Sequence, residues 1–246
     1  MGADARGGDG VTRQLDDSAR VEREYATLDR LALRRLDRTA WVRPFGGPIA
    51  TALAAIAEAR PRRVLDAGSG RAELARLIAA PEVVCVDSSP AAVEAARALG
   101  LEAVRGDLED LPFADESFEV VTCNWVLYHL ADVDRGLAGL ARVLRPGGRF
   151  VGIYNRRDNL RAVWSAVGDP WPADDFGCEN GVAALERHFV RVERRDTGGE
   201  VLWEDREALQ VYLDAFVELA GELRAPAGPY PFRDTRANCV LVAEKA

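Results

Sequence analysis

The residues best suited to binding chemistry are acids and glycines that follow short apolar runs. Asp66 ends one such run, and Gly68 and Gly70 follow it with one residue between them. Asp87 ends a second apolar run. Glycine lets backbone N–H groups approach a ligand closely, and a carboxylate accepts hydrogen bonds from hydroxyl or ammonium groups. This spacing predicts a strand, a tight turn and a binding site for a nucleotide-like ligand.

The elements that would position these residues alternate between residues 62 and 154. Apolar runs predict strands at 62–67, 82–87, 101–106, 118–124 and 149–154. Helix-forming segments stand between them at 73–80, 91–99 and 132–144. Strands that are apolar almost throughout, separated by helices, are typical of a parallel sheet with helices on both faces. In such a sheet ligands bind at the carboxyl ends of the strands, where Asp66 and Asp87 are predicted to lie.

The segment before the first strand is predicted to be helical. Residues 1–60 would form a lid with helices at 15–40 and 49–59, and residues 1–14 are predicted to be disordered. The core is predicted at 61–246, with insertions at about 155–178 and 196–236.

The last third of the chain is less regular. Its helical patterns lie at 179–188 and 204–223, and its strand patterns lie at 189–195 and 238–243. We therefore expect an α/β fold, a Rossmann-like, doubly wound, mostly parallel seven-stranded sheet with N-terminal helices and a helical and loop cap over the site.

The bulk composition excludes several classes of function. The formal net charge of −8 argues against nucleic acid as a partner. The four cysteines lie far apart without a C-x-x-C pair, so we expect neither a disulfide framework nor a zinc site. The two histidines are too distant for metal-ligand spacing. No run approaches the roughly 18 apolar residues of a membrane span, and the start has no apolar signal-peptide core, so we expect a cytoplasmic protein without a membrane partner.

A nicotinamide dinucleotide is one alternative for the predicted site. Its fingerprint requires three glycines, the third of which lets the helix pack against the strand. Here Glu73 stands where the third glycine would be, after Gly68 and Gly70. An acid such as Asp66, two residues before the first glycine, is not required by the dinucleotide motif. It suits a ligand that also carries a cation.

Four stretches in order and spacing resemble class I S-adenosylmethionine-dependent methyltransferases of the ubiquinone/menaquinone-biosynthesis-like type. They are the glycine-rich 64–70, the acidic 86–89, the segment 106–121 with its Gly-Asp and Leu-Pro-Phe sequences, and the Leu-Arg-Pro-Gly-Gly-Arg-Phe turn at 144–150. The resemblance covers residues 62–154, and the flanks resemble the family only loosely. It implies S-adenosyl-L-methionine as cofactor and S-adenosyl-L-homocysteine as product.

The resemblance also implies roles for individual residues. Gly68, Ser69 and Gly70 would let the backbone pass beside the methionine part and the ribose, and Asp66 would lie near the methionine ammonium. Asp87 would accept from both ribose hydroxyls. The remaining cofactor contacts are expected from Asp107 and Leu108 at the adenine, Ser88 beside it, the Asn124 carbonyl at the ammonium, and Tyr25 or Arg43 at the methionine carboxylate.

The catalytic residues are less strongly indicated. Methyl transfer needs a general base only where the acceptor keeps its proton at the working pH. His129, just after the fourth strand, is the candidate base, and capping or supporting the following helix is the alternative. Tyr154, at the end of the fifth strand, is expected on the acceptor side. Aromatic residues of the last third are candidates either for an apolar acceptor cavity or for the core: Trp164, Trp171, Trp203, Tyr212, Phe216, Tyr230 and Phe232.

The leading hypothesis is therefore an enzyme that methylates a small organic acceptor of specialised metabolism, as a monomer or homodimer. A homologue that binds the cofactor but catalyses a reaction without methyl transfer is the first alternative. A non-catalytic partner subunit is the second. The sequence names neither the acceptor nor the methylated atom.

Overall fold

The structure, a computed structural model, describes residues 23, 25, 28–34, 40–171 and 176–246. The predicted disordered start, 1–14, lies outside the described residues, as does most of the predicted helix at 15–40. Within that helix the structure describes one short helix, α1 (Asp29–Leu33). In the part of the chain that the structure describes, no helix has the length and apolarity to cross a membrane.

One sheet organises the described residues. In chain order its strands are β1 (Trp41–Gly46), β2 (Arg63–Ala67), β3 (Glu82–Asp87), β4 (Glu102–Arg105), β5 (Phe118–Cys123), β6 (Leu144–Asn155), β7 (Arg191–Trp203) and β8 (Phe232–Glu244). Their spatial order is β1-β7-β8-β6-β5-β2-β3-β4. Neighbours from β6 to β4 run parallel, whereas β8, β7 and β1 pair antiparallel. The predicted Rossmann-like, mostly parallel seven-stranded sheet is confirmed, and β1 adds an eighth strand at one edge.

The remaining helices connect these strands. They are α2 (Pro48–Glu58), α3 (Pro90–Ala98), α4 (Val133–Val143), α5 (Arg161–Ala166), α6 (Gly181–Leu185), α7 (Arg206–Asp214) and α8 (Val217–Ala220). The side chain of Ser89 accepts from the N–H of Ala92 at the start of α3, where Pro90 is the first helical residue. Asp132 caps α4 in the same way. These caps satisfy donors that a helix start leaves unpaired and hold both starts at the carboxyl end of the sheet.

The core follows from the apolar strands. Residues of β2, β3 and β5 pack with α4 in one cluster, whose members include the fully buried Leu65, Phe118 and Leu140. Thr122 and Asp66 are exceptions, since both are polar and buried within this sheet. A polar pair inside an apolar sheet must be satisfied locally or serve a ligand.

Three sequence predictions about elements were wrong. Residues 73–80 form turns and one 3-10 turn at Ala75–Leu77, and Ile78 is already extended ahead of Pro81. The lid predicted at 1–60 contains strand β1, which pairs with β7. The insertion predicted at 196–236 shrinks to 204–231, because β7 and β8 extend through most of its two ends. The glycines at 198 and 199 interrupt the apolar pattern without ending the strand.

The expectation of no disulfide was also wrong. Cys178 and Cys239 are disulfide-bonded across 61 positions of the sequence, with Cα atoms 5.9 Å apart. The N–H of Cys178 donates to the carbonyl of Asn155, so the loop after β6 returns to the sheet beside β8. Sequence spacing carried no trace of this return path. Cys85 and Cys123 are free and buried, as expected for apolar runs.

The disulfide predicts a simple thiol count. Denatured without reductant, the protein should react at two thiols, Cys85 and Cys123, and at four after reduction. The native protein should react slowly, since burial raises the pKa of both free thiols to about 12. Cys178→Ser should lower the free energy of unfolding by about 2–4 kcal/mol, because the bridge closes a long loop. Four reactive thiols without reductant would contradict the bridge; mass spectrometry of alkylated protein gives the count.

Candidate functional site

The turn after β2 is shaped by glycine. Gly68 and Gly70 have positive φ values of 71° and 49°, a backbone conformation that favours glycine. The N–H groups of Gly68 and Ser69 donate to the Val86 carbonyl at 2.8 and 3.2 Å, which ties the turn to β3. A Cβ on Gly68 would lie 2.5 Å from Val126 Cγ2. The turn therefore brings bare backbone to the carboxyl ends of β2 and β3, as the spacing predicted.

Asp87 ends β3 and faces this turn. Its Oδ2 accepts from the N–H of Gly70 at 2.9 Å, and its Oδ1 accepts from the N–H of Ser89 at 2.9 Å. Burial raises the pKa of Asp87 above its ordinary value, although these hydrogen bonds favour the charged form. Because each carboxylate oxygen has a second lone pair, the group is oriented by backbone and can still accept from a ligand.

Asp66 is the most perturbed acid of the site. It is 3% exposed, and Thr122 Oγ1 donates to its Oδ1 at 2.5 Å. Asp66 and Thr122 are neighbours in the register of β2 and β5. Burial raises the pKa of Asp66 to about 6, the Thr122 hydrogen bond opposes the rise, and the charge of Asp87 adds to it. A buried carboxyl beside a second acid suits a cationic ligand group, which would restore its charge.

The next strand end supplies the expected adenine-side residues. Asp107 follows β4, is exposed, and accepts from the N–H of Glu109 at 2.9 Å. Leu108 is 5% exposed and belongs to the main core cluster. Ser88 is exposed, and its carbonyl accepts from Arg105 Nε at 3.1 Å. All three lie at the carboxyl edge of the sheet. Their contacts with adenine stay a prediction.

The end of β5 holds a polar turn. Asn124 Oδ1 accepts from the N–H of Ile153 at 3.1 Å, so this side chain links β5 to β6. Trp125 has a positive φ of 54°, and its Nε1 donates to Asn155 Oδ1 at 3.1 Å. The Asn124 side chain thereby helps to hold β6 against the end of β5. The contact of its backbone carbonyl with the cofactor ammonium stays a prediction.

The segment around Tyr25 lies against this edge. The Tyr25 hydroxyl and His129 Nε2 are 2.9 Å apart, and their rings meet edge to face. Arg34 Nη1 donates to the same hydroxyl at 3.2 Å. The structure thus brings together two residues predicted separately, 104 positions apart, and adds a cation beside them. His129 is not the cap of α4, since Asp132 has that role.

Two hydrogen bonds and one close approach hold this segment over the glycine turn. Ser89 Oγ donates to the Tyr25 carbonyl at 2.8 Å. Arg71 Nη1 donates to the Leu28 carbonyl at 3.2 Å. A Cβ on Gly70 would lie 3.1 Å from Leu31 Cδ2. The N-terminal segment therefore covers the site. Ser89 donates to the Asp87 carboxylate through its N–H and to the covering segment through its hydroxyl.

Two predicted site residues are placed elsewhere. Tyr154 is fully buried, its hydroxyl donates to the Cys123 carbonyl at 2.7 Å, and burial raises its pKa well above the ordinary value. It therefore supports the core and does not face an acceptor. Arg43 lies in β1, paired with Glu200 of β7, and four strands separate β1 from β2. At about 4.8 Å per strand its backbone is too far from the glycine turn for the methionine carboxylate.

The aromatic residues of the last third form one cluster. Its buried rings are Trp164, Trp203 and Tyr212, and the partly buried ones are Trp171, Phe216, Tyr230 and Phe232. Ring centroids of Trp164, Trp171 and Phe216 lie 5.2 to 5.6 Å apart, with steep interplanar angles. The Arg34 guanidinium carbon lies 4.6 Å from the Phe216 ring centroid. The cluster thus borders the segment that covers the site.

Sequence reasoning missed Thr122, Ser89 and Arg34. Thr122 is a polar residue inside an otherwise apolar strand beside the strand of Asp66, and this signal could have been used. Ser89 directly precedes Pro90, and this local sequence indicates only a helix cap. Arg34 lies on the polar side of the predicted N-terminal helix, where a charged residue carries no particular signal.

The residues of the site fit the implied cofactor. A buried acid with a raised pKa, an oriented carboxylate and a glycine cradle match an ammonium, a diol and a close-lying nucleoside. Within the described ranges, no group of three or more His, Cys, Asp or Glu side chains is arranged to hold a metal ion.

Comparison with known proteins finds matches in the same part of the chain. Residues 65–152 match the family described as a methyltransferase domain. The chain is 40% identical over 98 residues to the uncharacterized methyltransferase YcgJ of Bacillus subtilis (strain 168). The match covers 36% of this chain and 39% of that relative. It is 44% identical over 91 residues to a demethylmenaquinone methyltransferase of Mycobacterium sp. (strain KMS). This match covers 36% of this chain and 40% of that relative. The chain thus matches well under half the length of these curated relatives.

Solved structures share the fold over more of the chain. The crystal structure of YcgJ has a TM-score of 0.57 at 20% identity and covers 79% of this chain and 98% of that one. The N-methyltransferase NodS from Bradyrhizobium japonicum WM9, solved with S-adenosyl-L-homocysteine, has a TM-score of 0.55 at 16% identity and covers 94% and 98%. The fold beyond residue 152 is therefore shared as well.

Proposed function

We propose that this chain, whose residues 65–152 are a methyltransferase domain of the class I S-adenosylmethionine-dependent, ubiquinone/menaquinone-like type, methylates a small organic acceptor of specialised metabolism. The observation that carries the proposal is the carboxylate of Asp87, oriented by the N–H groups of Gly70 and Ser89 at the end of β3. This arrangement presents a fixed acceptor to a ribose diol. When bound, S-adenosyl-L-methionine supplies an electrophilic methyl group on a sulfonium.

The chain's own residues would bind, orient and exclude water. Asp66 would hold the ammonium of the cofactor, directly or through water, and Asp107 would accept from the adenine amino group. The segment that carries Tyr25 and Leu31 covers the glycine turn and would exclude water from the reacting atoms. Holding the acceptor at the right distance in a dry site supplies much of the rate in a displacement of this kind.

Proton removal would fall to the pair Tyr25 and His129. The two groups are within hydrogen-bond distance at the edge of the site, which is the geometric requirement for a base acting through a hydroxyl. The pair would act on an acceptor that keeps its proton at the working pH, such as a hydroxyl or an acidic carbon. An acceptor amine that is already neutral would need no base.

The affinity for S-adenosyl-L-homocysteine should depend on pH through Asp66. Without ligand this carboxyl keeps its proton up to a pKa of about 6, and an ammonium partner would favour its charged form. Binding below pH 6 would therefore release a proton, so that affinity should fall about tenfold from pH 7 to pH 5. Calorimetry across this range measures the effect, and Asp66→Asn should bind more weakly with a flatter profile.

The sign for stability is the opposite of the usual one for an acid. The folded-state pKa of Asp66 is raised, so the unfolded chain loses this proton first. Its contribution to stability is present at low pH and is lost as the pH rises from about 4 to 6.

For binding, a wild-type affinity for S-adenosyl-L-homocysteine that rises as the pH falls would contradict the proposed contact of Asp66 with the ammonium.

Three considerations support a small organic acceptor rather than a macromolecule. The net charge is −8, which disfavours nucleic acid. An aromatic cluster borders the covered site. One relative is named for demethylmenaquinone, a small molecule. A monomer or homodimer acting in the cytoplasm belongs to the same proposal.

The proposal is tested by product analysis. Purified protein would be incubated with S-adenosyl-L-methionine carrying a labelled methyl group and a panel of aromatic and apolar acceptors. Label in an acceptor supports methyl transfer. A rearranged acceptor without added label would replace it with a non-methylating reaction. Tight cofactor binding, no turnover and co-purification of a second chain would replace it with a partner subunit.

A further inference from the structure

The guanidinium of Arg34 links the N-terminal segment to the aromatic cluster of the last third of the chain. Arg34 Nη1 donates to the Tyr25 hydroxyl at 3.2 Å, and that hydroxyl lies 2.9 Å from His129 Nε2. Arg34 Nε and Nη2 donate to the carbonyl of Ala215 at 3.3 and 3.2 Å. The same group lies 4.6 Å from the centroid of the Phe216 ring. Arg34 therefore contacts the N-terminal segment, the end of α7 and the aromatic cluster at once.

These contacts restrain the guanidinium. Ala215 is the C-cap residue of α7, and a cation there satisfies a carbonyl that the helix leaves unpaired. The planar guanidinium stacks favourably on an aromatic ring. Because three groups contact one planar guanidinium, the N–H that donates to Tyr25 has a fixed direction.

The chemistry of the contact gives the Tyr25 hydroxyl a direction too. Arginine only donates hydrogen bonds, so the phenolic oxygen is the acceptor in its contact with Arg34. A cation beside that oxygen polarises the O–H bond and makes the hydrogen a better donor. The group opposite is His129 Nε2. Donation from the hydroxyl to Nε2 requires that Nε2 carry the lone pair and Nδ1 carry the proton.

We propose that Arg34 is a positioning residue that directs the Tyr25 hydroxyl hydrogen toward His129 Nε2 and thereby holds His129 in the tautomer protonated at Nδ1. The proposal rests on the proposed function for its purpose: an unprotonated Nε2 can take up a proton that the Tyr25 hydroxyl passes on. Docking of the N-terminal segment onto Ala215 and Phe216 is then what prepares the base, so that His129 is set only when the site is covered.

The tautomer can be read directly, because the chain has two histidines. Protein labelled with ¹⁵N-histidine would be studied by long-range ¹H–¹⁵N correlation at a pH of about 8.5, roughly two units above the ordinary histidine pKa. His188→Gln assigns the signals, since His188 pairs with Asp134 elsewhere on the surface. Wild-type His129 should be protonated at Nδ1. Arg34→Ala should shift the population several-fold toward the Nε2-protonated form, and Arg34→Lys, which keeps a cationic donor, should shift it less.

A double-mutant cycle separates this role from simple anchoring. If Arg34 acts through the hydroxyl, Arg34→Ala in a Tyr25→Phe background should change the tautomer no further. Arg206→Ala is the matched control, because it removes an arginine bond to the Ala225 carbonyl that does not involve Tyr25.

Three results would overturn the proposal: a wild-type His129 protonated at Nε2, an unchanged tautomer in Arg34→Ala, or an equal shift in both backgrounds. Should Arg34→Ala fail to fold, the His129 tautomer is measured in Arg34→Lys and Tyr25→Phe instead. Both should shift it toward the Nε2-protonated form, and no shift in either variant would overturn the proposal. Binding of S-adenosyl-L-homocysteine is measured on the same samples. Its absence would count against the proposed function and leave the tautomer result standing by itself.

Discussion

Asp87→Ala should weaken binding of S-adenosyl-L-homocysteine by at least about 100-fold. Hydrogen bonds to a charged group contribute about 1.5–3 kcal/mol each, and about 2.7 kcal/mol is a factor of 100 in affinity. The variant also releases the N–H groups of Gly70 and Ser89, which now order the turn through the carboxylate. Both losses act on the same site, so the effect should be among the largest of any single substitution. Calorimetric titration at pH 7.5 measures it.

The matched control is Glu82→Ala. Glu82 is the first residue of the same strand and pairs with Arg63 at 2.7 Å, at the opposite end of β3 from Asp87. This exposed ion pair contributes about 0–1 kcal/mol to stability, and its loss should leave the affinity unchanged. An Asp87→Ala variant that is folded and binds like Glu82→Ala would show that the ribose is not held at β3.

Gly68→Ala should lower both stability and affinity. The added Cβ would lie 2.5 Å from Val126 Cγ2 and 2.9 Å from Val126 Cγ1, and φ at this position is +71°. Left-handed backbone costs a non-glycine residue about 1–2 kcal/mol, and overpacking costs about 1–3 kcal/mol more. The turn must shift away from β5 to relieve the contact. We expect a lower midpoint of thermal unfolding and at least tenfold weaker binding of S-adenosyl-L-homocysteine.

Gly147→Ala separates the two causes. Gly147 has nearly the same φ, +70°, and nothing lies within 4 Å of an added Cβ. It should lose only the conformational part, about 1–2 kcal/mol, and keep full affinity. Equal losses in both variants would mean that the close approach of Val126 has no part in shaping the site.

The sequence was sufficient for the parts of the site that are local. Asp66 and Asp87 each end an apolar run, and the parallel sheet that such runs form brings strand ends together. The positions of Gly68 and Gly70 follow from the same logic, since a sharp turn there requires left-handed backbone. These predictions needed only period, composition and the general rule for open sheets.

The contacts that depend on chain path were beyond the sequence. Tyr25 meets His129 across 104 positions, and Arg34 meets Ala215 across 181. The disulfide between Cys178 and Cys239 depends in the same way on where the loop after β6 returns. No local pattern encodes such meetings, because they are decided by how the segments pack.

Two errors came from inferring a role from position along the chain. Tyr154 ends the fifth predicted strand, and this position suggested an acceptor-facing role. In the folded chain that hydroxyl is satisfied by the Cys123 carbonyl, as a buried phenol requires. Arg43 was expected at the methionine carboxylate as part of the N-terminal helical segment. Its segment instead pairs with β7 at the far edge of the sheet.

The most direct test of the central claim is calorimetric titration of the wild-type chain with S-adenosyl-L-homocysteine. The structure predicts one site per chain, an affinity that falls about tenfold from pH 7 to pH 5 because Asp66 must lose its proton, loss of binding in Asp87→Ala, and unchanged binding in Glu82→Ala. A folded wild-type protein that binds neither S-adenosyl-L-homocysteine nor S-adenosyl-L-methionine would contradict the assignment.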